Sequence, residues 1–214
     1  MKKLLKKILI FFRLINISRQ IYFLLLQLAS YPKWIVLKKS KKILLEIGSG
    51  NKKGKNGWVT IDLHGADIIH DLKKGIPLPE ASVDEIYASH VLEHIPFKDL
   101  IILLEEIYRV LKQNGKFSVC VPDASLYIRS YVNMQRFLSE GEFYQPAVVD
   151  TGSLMDQINY IAYMDQEHKY LFDKQNLVNT LKKIPFKKVE LRTFDESIDM
   201  KSRDFESIYA IAIK

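Results

Sequence analysis

Two glycines follow directly after an apolar run, in the segment Leu45-Glu46-Ile47-Gly48-Ser49-Gly50. Glycines at the carboxyl end of a strand let the backbone approach a ligand closely, and this is the edge at which open parallel sheets bind ligands. The dinucleotide fingerprint requires a third glycine three residues further on, where this chain has Lys53. The segment therefore predicts a ligand site and disfavours a nicotinamide cofactor.

A carboxylate, Asp62, ends the next apolar run, Trp58–Asp62, twelve residues after Gly50. A carboxylate at the end of the second strand can accept the two hydroxyls of an adenosine ribose. An aspartate at a strand end is often only a turn residue. The preceding Gly-x-Gly makes the ligand interpretation the stronger one.

A third group of polar residues, His90-Val-Leu-Glu93-His94, fits the H-x-x-E-H pattern of one class of zinc hydrolase. On a helix, His90 and His94 would share a face and bind one metal ion, with Glu93 as the base. A third ligand is conceivable at Glu140 or Glu142, although nothing singles either out. The motif follows a strand in a short α/β chain, so we expect no metal and retain the hydrolase as a minor alternative.

The elements that must position these residues alternate between strand and connection from Lys42 onward, which is typical of an α/β domain. We predict strands at Ile43–Ile47, Trp58–Asp62, Asp67–His70, Glu85–Ala88, Lys116–Val121, Phe186–Thr193 and Ser207–Ile213. The predicted fold is a Rossmann-like, doubly wound and mostly parallel sheet, whose last two strands form an antiparallel edge hairpin. Cys120 is predicted to be a small buried strand residue.

Helices are predicted at Phe97–Lys112, from Ala124 to about Ser139, and at Asp173–Lys183. Gly115 is predicted to provide a left-handed cap for the first of these. Only seven residues separate Gly50 from Trp58, whereas a parallel crossover normally needs a dozen or more. The first crossover helix of such folds must therefore be reduced to a loop.

The positive charge of the chain is concentrated at its N-terminus. Residues 1–45 contain eleven of the 32 lysines and arginines and none of the 25 acidic residues, so the remainder is slightly acidic. This distribution disfavours a nucleic-acid-binding catalytic domain. Residues 1–40 are predicted to be a basic amphipathic extension, broken near Asn16 or Ser18, and residues 41–214 the domain. The extension either lies on an anionic membrane or packs against the domain or a second subunit.

The stretch from Ile43 to Asp123 resembles the class I S-adenosylmethionine-dependent methyltransferases, and in particular a bacterial subgroup similar to methyltransferase type 11. The resemblance comes from a Gly-Trp before the second strand, His90-Val-Leu-Glu-His94 after the fourth, Arg109-Val-Leu-Lys112 and Val121-Pro-Asp123. It is weaker in the C-terminal third and does not include residues 1–40.

The resemblance implies S-adenosylmethionine as the cofactor and a role for each matching residue. Glu46, Gly48 and Gly50 would bind the methionine end, and Asp62 the ribose. Asp71 and the backbone of Leu72 would meet the adenine, and Ser89 and His90 would line the pocket near the methyl group. An oxygen acceptor requires a general base, for which the candidates are His94 and His168.

Relatives of this subgroup often act in cell-surface glycan biosynthesis, so we expect O-methylation of a sugar or other small acceptor. Two signatures of nucleic-acid methyltransferases are missing, because Ser89-His90 replaces Pro-Pro-Tyr/Phe and Cys120 does not follow a proline. The expected location is the cytoplasm, either free or at the inner face of the membrane, and a homo-oligomer is compatible with the sequence. The non-enzymatic alternative is a catalytically silent, cofactor-binding subunit of a glycan assembly complex.

Overall fold

A computed structural model describes residues 2–137 and 150–214, with side chains described from Ile15 onward except that of Asn16. The helices are α1 (Lys2–Lys38), α2 (Phe97–Val110), α3 (Ala124–Val132), α4 (Met155–Tyr163) and α5 (Lys174–Leu181). The strands are β1 (Leu44–Ile47), β2 (Trp58–Asp62), β3 (Ile68–Ile69), β4 (Val83–Ser89), β5 (Leu111–Pro122), β6 (Lys188–Arg192) and β7 (Ser207–Ile213). Short 3₁₀ turns cover Leu72–Lys74, Leu92–His94 and Lys201–Glu206.

The seven described strands form one sheet in the order β3-β2-β1-β4-β5-β7-β6. The first five strands are parallel, and β7 runs antiparallel between β5 and β6. Leu45 and Ile47 of β1 are fully buried, as expected for a central strand with both faces covered. The predicted Rossmann-like fold with an antiparallel pair at one edge is confirmed.

The crossover from β1 to β2 is a loop, residues 48–57, and the two strands are parallel as predicted. A single carboxylate stabilises this loop: Asp67 Oδ2 accepts hydrogen bonds from Gly54 N (2.8 Å) and from Thr60 N (3.1 Å) and Oγ1 (2.9 Å). A Cβ on Gly54 would lie 1.9 Å from the carbonyl oxygen of Trp58. The chain can therefore make this tight crossover only with glycine at position 54.

The junction between α2 and β5 differs from the prediction. Helix α2 ends at Val110, Leu111 is already extended, and Gly115 lies inside β5 without a positive φ, so the predicted glycine cap is wrong. The start of β5 pairs with Val83 of β4, and Gly115 O accepts a hydrogen bond from Lys214 N. These long-range contacts provide hydrogen-bond partners for the backbone in an extended conformation, so the chain forms a strand here and the helix does not continue.

Helix α1 is continuous from Lys2 to Lys38, so the predicted break near Asn16 or Ser18 is wrong. Ser18 Oγ donates to the carbonyl of Ile15, so the hydroxyl is hydrogen-bonded within the helix. Within the described part of the chain, no helix is long and apolar enough to cross a membrane.

The end of α1 packs against the edge of the sheet at β3. Ser30 Oγ accepts a hydrogen bond from Ile69 N (2.9 Å), and the Trp34 ring meets His70 edge-on at 5.5 Å between centroids. Trp34 and Leu37 are only 5% and 6% exposed and belong to the main core. The last turns of α1 are thus joined to the domain, although its division at residue 40 stays a prediction.

The helices after β5 agree with the sequence only in part. Helix α3 begins at Ala124 as predicted and ends at Val132, while Ser139, Glu140 and Glu142 lie outside the described residues. Helix α5 begins after Asp173, whose side chain accepts from Asn176 N at 2.6 Å. Helix α4 was not predicted, and it packs through Ile161 against Tyr127 of α3 in a small separate core.

Replacing Trp34 by alanine tests whether the end of α1 is part of the domain core. We expect Trp34→Ala to lower the free energy of unfolding by about 3 kcal/mol, because a large buried ring is lost. The exposed Tyr31, one turn earlier, is the matched control, and Tyr31→Ala should change stability by less than ~0.5 kcal/mol. Urea denaturation measures both. Equal stability of Trp34→Ala and wild type would show that α1 folds apart from the domain.

Candidate active site

A cavity of about 640 Å³ lies at the carboxyl ends of β1, β2 and β4. This volume is ordinary for a small-molecule site. All eight residues that the resemblance assigns to the cofactor line the cavity: Glu46, Gly48, Gly50, Asp62, Asp71, Leu72, Ser89 and His90. The structure thus brings the predicted set together, while the individual roles stay predictions.

The two glycines after β1 form one wall of the cavity for different reasons. Gly48 has φ +65°, and a Cβ there would lie 2.4 Å from Cγ2 of Val91, which follows β4. Gly50 has φ +62° and faces open space. Gly48 is therefore required for close packing of two loops, whereas Gly50 leaves room in which a ligand can approach the backbone.

Asp62 ends β2 with its carboxylate anchored by backbone donors. Its Oδ2 accepts from Gly50 N at 2.8 Å and its Oδ1 from Leu63 N at 2.6 Å. Oδ1 also accepts a longer bond from His64 N (3.4 Å), so of about four acceptor sites on a carboxylate one remains on Oδ2 for a ligand hydroxyl. The same bonds orient the side chain before any ligand binds.

Glu46 at the end of β1 is nearly buried, and its Oε1 lies 2.8 Å from Nζ of Lys52. Lys52 also lines the cavity, although the sequence analysis treated residues 51–57 only as a connection. A carboxylate beside an ammonium group complements the amino and carboxyl groups of an amino acid. The only sequence signal for Lys52 was its position directly after the Gly-x-Gly turn.

The adenine side of the predicted site lies after β3. Asp71 precedes the 3₁₀ turn Leu72–Lys74, and its Oδ1 accepts from Lys73 N at 3.0 Å. His70, which precedes it, has Nε2 2.8 Å from the carbonyl oxygen of Gly75. These local bonds give the cavity edge a defined shape.

His90 lies just after β4 with φ +54°, and its Nε2 is 2.9 Å from Ser207 Oγ at the start of β7. Burial, together with the charge of Arg203, lowers the pKa of His90 to about 3, so the ring is neutral. His90 and His94 do not share a helical face, because only Leu92–His94 is helical and that turn is 3₁₀. The helix on which the zinc-hydrolase alternative depends is absent at these residues.

Glu93 is 2% exposed, and neither of its carboxylate oxygens has a hydrogen-bond partner among the described residues. Its Oε1 lies 3.7 Å from both His90 Nδ1 and His94 Nε2. Burial raises the pKa of Glu93 to about 8. The side chain is therefore a buried acid beside His94, which lines the cavity, and the sequence analysis considered it only within the H-x-x-E-H pattern.

The two predicted catalytic histidines lie together beside Glu93. The rings of His94 and His168 are 5.0 Å apart between centroids. His94 lines the cavity, and His168 is buried behind it, with Nδ1 2.7 Å from the carbonyl oxygen of Ile161. Burial lowers the pKa of both rings, which keeps them neutral and able to accept a proton or bind a cation.

The connection between β6 and β7 closes the cavity with residues that the sequence analysis did not single out. Met200 and Arg203 line the cavity from this connection. Asp199 positions it by accepting from Tyr87 Oη at 2.9 Å and from both terminal nitrogens of Arg192. The sequence of residues 194–206 has no periodic pattern, so it did not indicate a role in the cavity. Their contact with β4, through the Tyr87 hydrogen bond to Asp199, shows it.

The comparisons with known proteins agree with this geometry. Residues 45–119, about a third of the chain, match the family model described as a methyltransferase domain. A sequence comparison with curated proteins finds no match. An S-adenosylmethionine-dependent methyltransferase from Archaeoglobus fulgidus superposes with a TM-score of 0.50 and 18% identity, over 87% of this chain and 92% of the other.

Two further solved structures are similar at lower scores. A possible histamine N-methyltransferase from Thermotoga maritima has a TM-score of 0.48 and 14% identity, over 94% of this chain and 97% of the other. Phosphoethanolamine N-methyltransferase 2 from Haemonchus contortus, in complex with S-adenosyl-L-methionine, has a TM-score of 0.47 and 13% identity, over 88% of this chain and 52% of the other.

The family match lies on the strands and loops that build the cavity, and the Archaeoglobus structure shares the sheet around them. The chain therefore has a Rossmann-like methyltransferase fold, and its residues 45–119 match the family model of a methyltransferase domain.

Proposed function

We propose that the protein transfers the methyl group of S-adenosylmethionine to an oxygen atom of a sugar or another small acceptor in cell-surface glycan biosynthesis. The observation that carries the methyl-transfer part is the cavity itself. It gathers the acidic residues Glu46, Asp62 and Asp71 and two positive-φ glycines at the carboxyl edge of the parallel sheet. That edge is where such sheets bind ligands.

The residues present fit the cofactor. Asp62 retains an acceptor site on Oδ2 for a ribose hydroxyl, and the open space at Gly50 admits a ligand against the backbone. The Glu46 carboxylate and the Lys52 ammonium group match the amino and carboxyl groups of the methionine end. Asp71 and Leu72 line the cavity where they would take the adenine side, and Ser89 and His90 line it where they would meet the methyl group.

When bound, S-adenosylmethionine supplies an electrophilic methyl group that an acceptor atom takes by in-line displacement, leaving S-adenosylhomocysteine. An acceptor hydroxyl must also lose its proton, which favours a base at the acceptor end of the cavity. We assign this assistance to His94 and His168, whose neutral rings lie together there. Positioning by the cavity walls supplies the rest of the catalytic effect.

The acceptor class is inferred from absences in the sequence and from the distribution of charge. No nucleic-acid methyltransferase signature follows β4, where Ser89 and His90 stand, and the domain itself is slightly acidic. A small acceptor such as a sugar hydroxyl fits both facts.

We further propose that the first part of α1 binds an anionic membrane surface, which would place the domain beside a lipid-linked acceptor. Large apolar side chains are exposed along α1 before the contact at Ser30: Ile17, Ile21, Tyr22, Leu24, Leu25 and Leu28. The N-terminal segment carries basic residues and no acidic ones. A basic helix with exposed apolar residues binds membranes reversibly, at up to ~1 kcal/mol for each basic residue near the surface.

Asp62 provides the test of cofactor binding. We expect calorimetry to show S-adenosylhomocysteine binding to wild type, and Asp62→Ala and Asp62→Asn each to weaken it roughly 10–100-fold, or ~1.5–3 kcal/mol. Asp62→Asn keeps an acceptor oxygen for Gly50 N, so it separates loss of the ribose contact from loosening of the loop. Glu105→Gln, on the exposed side of α2, is the control and should bind as wild type does. Binding of NAD in place of S-adenosylhomocysteine would refute the assignment.

His94 provides the test of catalysis. In a screen of sugar nucleotides and lipid-linked glycans that follows S-adenosylhomocysteine formation, His94→Ala should lower kcat roughly 10²–10⁴-fold, because the acceptor proton loses its assistance. Its affinity for S-adenosylhomocysteine should stay near that of wild type. The exposed His64 is the control, and His64→Ala should retain full activity. Cofactor binding without turnover of any acceptor would favour the silent binding subunit.

Removal of residues 1–29 provides the test of membrane binding. The full chain should sediment with vesicles that contain phosphatidylglycerol, and binding should weaken at ~1 M salt because the charges are screened. A chain that begins at Ser30 retains Trp34 and Leu37, so it should stay folded and bind S-adenosylhomocysteine but not the vesicles. Neutral phosphatidylcholine vesicles are the control. Equal sedimentation of the shortened chain would contradict the proposal.

A further inference from the structure

The buried carboxyl group of Glu93 lacks a partner of opposite charge in direct contact. Both oxygens are buried without a hydrogen bond from any described residue. Arg203 favours the ionised form electrostatically, but its guanidinium makes no hydrogen bond to Glu93 in the structure. Proteins normally neutralise a buried carboxylate with hydrogen-bond donors or a bound cation. Among the described residues, Glu93 is therefore a candidate ligand for a bound cation.

His94 and His168 lie beside Glu93, and each has one ring nitrogen with a free lone pair. A carbonyl oxygen can only accept, so the 2.7 Å contact between His168 Nδ1 and the Ile161 carbonyl puts the proton on Nδ1 and leaves Nε2 with its lone pair. His94 has the same arrangement, with Nδ1 3.3 Å from the Glu167 carbonyl oxygen. Histidines that bind metal ions typically donate their other ring N–H to a carbonyl or a carboxylate in this way.

The three side chains converge to the size of a metal site. One ligand atom each from Glu93, His94 and His168 lie within 4.8 Å of one another, and Glu93 Oε1 is 3.7 Å from His94 Nε2. Ligands of a tetrahedral zinc ion with bonds of ~2.0–2.1 Å are about 3.3 Å apart. Side-chain shifts of roughly 1 Å or less would thus complete the coordination.

The backbone fixes this convergence without a ligand. The carbonyl oxygen of Glu93 accepts hydrogen bonds from Lys169 N (2.7 Å) and Tyr170 N (3.1 Å). The residue after His168 is therefore bonded to Glu93 itself, across more than 70 positions of sequence. Such preorganisation lowers the cost of assembling a site.

We propose that Glu93, His94 and His168 bind a divalent transition-metal cation of the zinc class beside the cavity, which His94 lines. Two imidazoles and one carboxylate suit such a cation and leave coordination positions open. The site differs from the H-x-x-E-H pair, because the Nε2 of His90 is hydrogen-bonded to Ser207. It reverses the expectation of no metal, which considered His90 and His94 as ligands, with a third at Glu140 or Glu142, and not His168.

The site also changes how His94 and His168 would assist the acceptor: with their Nε2 lone pairs bound to the cation, they would act through the cation and not as bases. A cation bound by both would coordinate the acceptor oxygen and lower the pKa of its hydroxyl, so that an ordinary base or solvent can take the proton. This role rests on the proposed function, whereas binding of the cation does not.

Cobalt titration of untagged protein tests the site, because tetrahedral Co²⁺ absorbs visible light. We expect one Co²⁺ per chain, displaced by Zn²⁺, with affinity reduced at least ~10-fold in Glu93→Gln and His168→Gln. His64→Gln and Glu105→Gln are the controls and should bind as wild type does, since both side chains are exposed and neither lines the cavity. A wild type without cobalt absorbance, or a Glu93→Gln variant that binds equally, would overturn the proposal.

Thermal unfolding separates a loss of ligand from a loss of fold. Without metal, Glu93→Gln should be at least as stable as wild type, because the variant removes an uncompensated buried acid. Zn²⁺ should raise the Tm of wild type and leave that of Glu93→Gln unchanged. No rise in the wild-type Tm would overturn the site. S-adenosylhomocysteine binding measured on the same samples reports on the methyltransferase assignment independently.

Discussion

The loop after β1 and the loop after β4 touch where Gly48 packs against Val91. A side chain at position 48 would lie 2.4 Å from Val91 Cγ2, so the two loops meet at a distance that only glycine allows. Because β1 and β4 are parallel neighbours, both loops leave the sheet at the same edge. Their contact brings Glu46 before one loop and His90 beside the other to a single cavity.

Hydrogen bonds join the loop after β1 to the neighbouring strand β2, which carries the next part of the cavity wall. Gly50 N donates to Asp62, which ties the loop after β1 to the end of β2. Gly48 N donates to the Ile61 carbonyl oxygen, which is a second hydrogen bond between the same loop and β2. The Asp67 carboxylate closes the same crossover from the other side, so β1 and β2 pair without the usual helix. The connection is short, yet Gly48, Gly50 and Asp62 all line the cavity.

The cavity has two ends of different chemistry. Near β2 and β3 the carboxylates are anchored by backbone N–H groups or, at Glu46, by Lys52. Near the turn after β4 the groups are buried, and burial favours the neutral form of Glu93, His94 and His168. The first end suits a charged and hydroxyl-rich cofactor, while the second retains groups that can take up a proton or a cation.

Part of this structure could be predicted from the sequence, because it depends on residues that are close together along the chain. The positions of α2 and β7 and the Gly-x-Gly before Asp62 were predicted from short runs of neighbouring residues, and each prediction was close to the structure. The sequence did not predict where α2 ends, that Lys52 pairs with Glu46, or which residues lie beside Glu93. They depend on β5 pairing with β4, on the loop folding back to Glu46, and on His168 reaching Glu93 from more than 70 residues away. Side-chain types and spacing decide which chemistry is available, but contacts between distant segments decide which groups meet, because those contacts form only when the whole sheet assembles.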